Sequence, residues 1–332
     1  MSLSIIKAGL LGTIQDQGRY GYGSLGINCG GAMDRYASRV ANMLVGNDMH
    51  EAVMEIHFPG PQILFEQNAL ISITGANFTP TLNDEPLPLW RPLVIRKNTI
   101  LHFPNLQYGA RCYIAIHGGF CIEDWLGSYS TNLKANAGGY GGRKFEKGDE
   151  LRAKENTIYF AALLKASKDV VPLNWRADIG DNYRFPNEVY FIEGHEFAQL
   201  SPASAHDFTE DVFTLHPFSD RMGYRLKGPQ LVCNESIELV STGVSFGTVQ
   251  LLPDGSPIVL MADHQTTGGY PRLGHVISSH LPKLAQLRPS DSLQFKKISI
   301  EKAEAKLLAQ QKELAILQTA CLEHLNDLAW RQ

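Results

Sequence analysis

The chain has 332 residues, 44% of them hydrophobic, which is enough to bury two ordinary cores rather than one of about 100–150 residues. Its 30 basic and 34 acidic residues leave a formal net charge of −4, with no Lys/Arg cluster that could track a phosphate backbone, so neither nucleic acid nor an anionic membrane is expected as a partner. No segment reaches the ~18 uncharged apolar residues of a bilayer span. The start, Met1 to Leu11, lacks a basic region followed by a cleavable apolar run, and the five cysteines form no CxxC pair and no Cys/His zinc spacing. A cytoplasmic protein with reduced thiols is expected.

In chain order, the first unusual stretch runs from Ile14 to Gly23 and on to Gly30–Asp34. Its glycines suit a loop passing close to another surface, yet the spacing GxxxxGK[ST] of a phosphate loop is absent. From Asp34 the pattern turns helical: Ala37, Val40, Ala41 and Leu44 follow a 3.6-residue period, with Asp34 placed to cap the start and Gly46 to end it. Asp34 is therefore both a candidate acid/base and a plain helix cap. Short apolar runs follow, among them Ile63–Phe65, Leu70–Ile73, Tyr113–Ile116, Val189–Ile192 and Ile258–Met261, each bounded by Gly, Pro, Asn or Asp. Strands this short, without regular alternation with helices, predict a mainly β protein of barrel or sandwich type.

The sequence also repeats itself. Gly60–Phe65, ending in Thr74 and Gly75, aligns without a gap on Gly228–Cys233, ending in Thr242 and Gly243. In the same order, Leu82–Asp84 answers Leu252–Asp254, Gly118 and Gly119 answer Gly268 and Gly269, Leu126 and Gly127 answer Leu273 and Gly274, and Asp149–Leu151 answers Asp291–Leu293. Ordered matches of this kind predict two copies of one β-rich domain in tandem. The expected boundaries are 1–153 and 186–298, joined by an entry segment over 154–185 and followed by 299–332, where Leu307, Leu314, Cys321, Leu325 and Leu328 form the stripe of an amphipathic helix.

Two stretches in the second copy carry chemistry. Phe218–Arg225 offers two guanidiniums, Arg221 and Arg225, able to clamp a carboxylate or phosphate, with Asp220 near enough to orient one of them. Gln250 and Asp254 precede the strand Ile258–Met261, which empties into Gln265, Thr266, Thr267, Gly268, Gly269 and Tyr270. Such a set supplies an acceptor, two amides, hydroxyls and close-approaching backbone, which suits a polar ligand bearing an amide. Asp254 fits equally well as part of a Pro-Asp-Gly hairpin turn. No GxSxG elbow, no HExxH and no paired metal spacing occurs, so serine hydrolase chemistry and a bound metal are not expected.

The runs Asp16–Arg19, Gly31–Asp34, Ser219–Arg225, Gly247–Gln250 and Gln265–Pro271, in this order over about residues 5–295, resemble the biotin-dependent carboxyltransferase, or allophanate hydrolase subunit 2, family. The resemblance implies tandem cyclophilin-like β-barrel domains. Bacterial members include a component of the ATP-dependent 5-oxoprolinase, which implies partnership with that enzyme's smaller, homologous B-type subunit and with its A-type subunit, ATP with magnesium being consumed by the complex. It further implies Arg221 or Arg225 on a carboxylate or phosphate, Gln250 and Gln265 on the amide, and Asp34 or Asp254 as base or as holder of a metal. Two alternatives follow from the same likeness: carboxylation of urea or a related amide with carboxybiotin, and restraint of a histidine kinase by a complex of two homologous subunits. The chain departs from the family pattern at Asn28 and Cys29, at His264, and at Arg288–Asp291, where Pro-Gly-Asp is usual.

Overall fold

The computed structural model describes residues 2–154, 164, 169–183, 188–235 and 239–330, so residues 155–163, 165–168 and 184–185 of the expected entry segment lie outside the described residues. The chain divides into two compact units that are not consecutive blocks. Met1–Gly18, Asp34–Asp178 and Lys312–Gln332 form the first; Arg19–Met33 and Ile179–Gln311 form the second. The boundaries thus differ from those expected of a simple tandem. The excursion 19–33 has its partners in the second unit, and the last helix starts in one unit and ends in the other.

The first unit contains β1 (Ser2–Lys7), β2 (Gly12–Gln15), α1 (Arg35–Leu44), β3 (Val53–His57), β4 (Gln62–Phe65), β5 (Ala69–Asn77), β6 (Thr81–Leu82), β7 (Glu85–Pro86), β8 (Pro92–Ile95), β9 (Thr99–His102), β10 (Tyr108–Ile116), β11 (Glu150–Arg152) and β12 (Val170–Pro172). They make two six-stranded sheets, ordered β11-β1-β4-β9-β6-β7 and β12-β8-β5-β10-β3-β2. Period-2 alternation sorts the second sheet's faces. Met54, Ile56, Ile71, Ile73, Ile114 and Ile116 point into the core. Ser72, Thr74, Glu55 and Tyr113 take the other face and are buried all the same. These polar groups need partners there. The Ser72 and Thr74 hydroxyls donate to the α1 carbonyls of Ala41 and Ala37 at 2.6 and 2.8 Å, and the Tyr113 hydroxyl donates to Glu55 while accepting the Asp34 N–H, both at 2.8 Å. Helix α1 has the expected ends: the Asp34 carboxylate accepts the Ala37 N–H at 2.9 Å, and Gly46 lies at φ 75°.

The second unit contains β13 (Glu188–Glu193), α2 (Pro202–Glu210), β14 (Phe213–Leu215), β15 (Gly223–Lys227), β16 (Thr242–Gly243), β17 (Thr248–Leu251), β18 (Pro257–Leu260), β19 (Thr267–Gly268), β20 (Arg272–Val276), α3 (Leu281–Ala285), β21 (Ser292–Lys297) and the start of α4 (Ile300–Trp330). Seven strands close a barrel in the order β13-β20-β17-β18-β15-β14-β21, sealed by the parallel pair β13–β21. Its interior is filled: Phe208 stacks on Phe295 at 4.5 Å, with Phe191 and Phe213 packed against Phe295 at 5.9 and 5.8 Å. A ligand must bind outside it.

The protein is mainly β with a barrel and a C-terminal helix, as the composition predicts. Matched positions of the repeat fall on comparable places in two instances: Asn83 and Asp84 join β6 to β7 as Pro253–Gly255 joins β17 to β18, and Asp149 and Asp291 each directly precede a strand, β11 and β21. It relaxes elsewhere, since Thr74 and Gly75 sit inside the nine-residue β5 but Thr242 and Gly243 in a two-residue ribbon. Helices α2 and α3 escape the periodicity reading. For α2 a local signal exists: Ser201 caps the Ser204 N–H at 3.1 Å, with Pro202 in the first turn. At the Arg288–Asp291 departure, Ser290 holds φ 73°, the conformation that the family's usual glycine adopts without strain. Among the described residues, no helix is long and apolar enough to cross a membrane.

Candidate functional site

Strand register decides which side chains of the barrel can meet a ligand. Tyr224, Val259, Val249 and Gly274 pair across β15, β18, β17 and β20 and form an inward row. One residue along, Arg225, Ile258, Gln250 and Arg272 form the neighbouring outward row. A cleft of about 870 Å³ lies over this outer face. Arg225, Gln250, Asp254, Gln265 and Tyr270 all line it, together with Lys227 and His216, which the sequence reading did not single out. Asp34 and Arg221 do not line it.

Each of these groups has a distinct environment. Arg225 is exposed on β15, and its guanidinium has no ion-pair or hydrogen-bond partner among the described residues. Asp254 sits in the β17–β18 turn, where its Oδ1 accepts the Ser256 hydroxyl at 2.6 Å and the Ser256 N–H at 3.0 Å. These bonds hold its carboxyl below the ordinary carboxylate value, which weakens it as a base at neutral pH. The turn reading accounts for it.

After β18 the chain doubles back as a strap, residues 264–271, crossing over Gln250. Among the described residues its ladder pairing is the two-residue ribbon β16–β19, supplemented by the Val244 N–H donating to the Thr266 carbonyl at 3.2 Å and the Leu251 N–H donating to the Pro271 carbonyl at 2.9 Å. The His264 ring nitrogen Nδ1 lies 2.6 Å from the Gln265 carbonyl oxygen. Thr266, Thr267, Gly268 and Gly269 belong to the strap but not to the cleft lining. Gln250, which lines the cleft, is 0% exposed. Its Nε2 donates to the Tyr270 carbonyl at 3.3 Å. Glycine at 268 has a steric reason here, because a Cβ would stand 2.7 Å from Gln250 Nε2.

Arg221 does a different job from the one its sequence neighbours suggest. Its Nε and Nη2 donate to the two carboxylate oxygens of Asp263 at 2.8 and 2.9 Å, and Nη2 also reaches the Gly31 carbonyl at 2.7 Å. The orienting carboxylate is Asp263 and not Asp220, whose Oδ1 accepts the N–H groups of Met222 and Gly223. The Asn28 amide donates to the Asp263 backbone carbonyl at 3.0 Å, so Asp263, just beyond β18, ties the 28–31 loop to the root of the strap through its main chain and, by way of Arg221, through its carboxylate. Sequence reasoning missed Asp263 because its partner lies 42 residues away. Asp34 belongs to the first unit, 0% exposed and capping α1. No group of three metal-ligating side chains occurs among the described residues. The glycine-rich run 138–142 packs on its own loop: a Cβ at Gly139 would fall 1.9 Å from Thr131 Oγ1, and one at Gly142 2.1 Å from the Asn136 carbonyl carbon. Packing accounts for Gly139 and Gly142, whereas a Cβ at Gly141 would meet nothing within 4 Å.

The outward row ends on Arg272, held by Glu196 through Nη2–Oε1 at 2.8 Å and Nε–Oε2 at 3.0 Å, with the Arg272 N–H at 2.9 Å from the same Oε2. Those bonds hold the Glu196 carboxyl below its ordinary value. A depressed carboxyl contributes stability above its unfolded-state value and loses it as pH falls through the folded-state value. Glu196→Gln is expected to lower stability by about 1–3 kcal/mol at neutral pH, a deficit that shrinks on acidification. Thermal denaturation across the acid range checks this; an unchanged difference at all pH values would show the pair to be unimportant.

The geometry defines a class: a β-barrel protein with a polar, amide-lined cleft on the barrel's outer face. Residues 25–297 match the family described as carboxyltransferase domain, subdomain A and B, and the chain belongs to that family. It is 34% identical over 291 residues to the C-type subunit of 5-oxoprolinase from Haemophilus influenzae, covering 88% of this chain and 89% of that one. The same-named protein of Escherichia coli is 34% identical over 332 residues, covering 99% and 98%. Among solved structures, the urea amidolyase of K. lactis superposes with a TM-score of 0.84 at 27% identity, over 95% of this chain. This chain spans 20% of that much longer protein.

Proposed function

We propose that the chain is the C-type subunit of an ATP-dependent 5-oxoprolinase and that it holds 5-oxo-L-proline in the outer cleft of the barrel. One observation carries the reading: Arg225, whose guanidinium makes no hydrogen bond or ion pair among the described residues and feels only the nearby charge of Asp254, shares a cleft of about 870 Å³ with the amides of Gln250 and Gln265 and with Tyr270. A carboxylate on a lactam ring asks for those two kinds of group, a planar cation and amide donors and acceptors. The two bacterial relatives covering nearly this whole length carry the matching name.

In this reading Arg225 orients the substrate carboxylate and Gln265 the lactam carbonyl. Ring opening adds water across the C–N bond, so that the carbonyl carbon becomes the side-chain carboxylate of glutamate and the ring nitrogen becomes its amine. ATP is consumed by the complex with the smaller B-type subunit and the A-type subunit, and no residue of this chain is assigned to it. Co-expression of the three is expected to give 5-oxoproline-dependent ATP hydrolysis, reduced at least about tenfold by Gln265→Ala, the loss of one hydrogen bond to substrate. No 5-oxoproline-dependent ATP hydrolysis by the complex would overturn the reading.

The carboxyltransferase match over residues 25–297 favours a second reading, carboxyl transfer from carboxybiotin to urea or a related amide. It requires a biotin carboxylase and a biotin carrier from other chains, and urea-dependent turnover on adding them is its test.

A further inference from the structure

Gln250 is buried without being satisfied. Among the described residues its Oε1 has no hydrogen-bond partner, and its Nε2 makes one long bond of 3.3 Å to the Tyr270 carbonyl. A carboxamide oxygen that has lost its water and gained nothing is costly, and a fold with a purely structural use for this side chain would bond it. Gln250 lines the cleft while being fully buried. Over it lies Gly268, where a Cβ would press on the Gln250 amide, in a strap held among the described residues by the two-residue ribbon β16–β19 and by backbone bonds at Thr266 and Pro271.

We infer that Gln250 is the specificity-determining residue for a ring N–H: its side-chain oxygen accepts the N–H of a lactam or other secondary amide once the strap 264–271 is displaced. The inference rests on the lactam reading above and deepens it. Arg225 and Gln250 stand in the same outward row with β18 between them, roughly 10 Å apart by the ~4.8 Å strand spacing. The long Arg225 side chain and a small ring bearing a carboxylate can bridge that gap. With the carboxylate on Arg225, the ring nitrogen faces Gln250. A lactone of the same shape leaves Oε1 unsatisfied and sets its own ring oxygen, also an acceptor, against it, so the site discriminates by what the wrong ligand cannot donate.

The test compares 5-oxoproline with 5-oxotetrahydrofuran-2-carboxylate, the lactone that keeps the carboxylate and ring carbonyl but lacks the N–H. Binding of each is measured calorimetrically to the full chain and to the complex of all three subunits, and each is offered to the complex as substrate. The wild type is expected to prefer the lactam at least about tenfold. Gln250→Met is expected to bring the ratio near one while melting at the same temperature or higher, because it removes an orphaned acceptor. A wild type without preference, a methionine variant that keeps it, or a methionine variant that melts several degrees lower overturns the inference. Lactam preference in binding without ATP-dependent ring opening supports the inference and sinks the oxoprolinase reading. Ring opening without preference does the reverse, and neither binding nor turnover sinks both.

Discussion

Replacing Arg221 by alanine is expected to destabilise the protein by about 3–5 kcal/mol, because it leaves the Asp263 carboxylate facing a site emptied of its charge partner. Arg221 is 7% exposed, and its bidentate bonds to Asp263 at 2.8 and 2.9 Å are joined by a third to the Gly31 carbonyl at 2.7 Å. At roughly 2–4 °C per kcal/mol for a unit of this size, the thermal midpoint should fall by several degrees at least. Removing both charges, as in Arg221→Met with Asp263→Leu, should cost less than Arg221→Ala alone, since no unpaired ion remains. A single mutant that melts like wild type and loses only activity would return Arg221 to the role of ligand clamp.

Arg225→Ala should behave in the opposite way. The Arg225 side chain is exposed and makes no hydrogen bond or ion pair among the described residues, and its charge acts only on exposed Asp254, so its loss should change stability by no more than about 0.5 kcal/mol. In the reconstituted complex the Michaelis constant for 5-oxoproline should rise about 10–100-fold, the equivalent of one charge-assisted contact to a carboxylate, with kcat less affected if the contact is made equally in ground and transition states. Arg225→Lys should recover only part, because a point charge does not reproduce the planar fork. A Michaelis constant unchanged in the alanine variant would move the substrate out of this cleft.

The contrast between the two arginines shows where the sequence stops being legible. Both stand in one eight-residue run, and nothing in that run says which one is free. The pattern around Arg225 contains the answer in principle, since Tyr224 and Leu226 are apolar and alternation then sends Arg225 outward. Arg221 lies before the strand, where no period applies. Its partner Asp263 stands at the end of another strand, and only the β15–β18 pairing brings the two ends together. Gln250 shows the same limit, for its residue type suits an amide ligand while its burial under Gly268 comes from a strap that folds back from 18 positions further on.

Local features, by contrast, are read without the fold. The cap at Asp34 and the stop at Gly46 follow from residues within one or two turns of each other, and so does the Pro253–Gly255 turn that occupies Asp254. The mainly β class follows from short runs bounded by turn formers, and the amphipathic stripe of α4 from its own spacing. Tertiary structure alone decided that residues 19–33 group with the second unit, that β13 and β21 close the barrel in parallel, and that the outer face with Arg225, Ile258 and Gln250 carries the cleft. The physical reason is range. Caps, turns and periodicity are set by neighbours in sequence, whereas closure, ion-pair choice and the cover over an amide depend on contacts whose partners are separated by tens of residues.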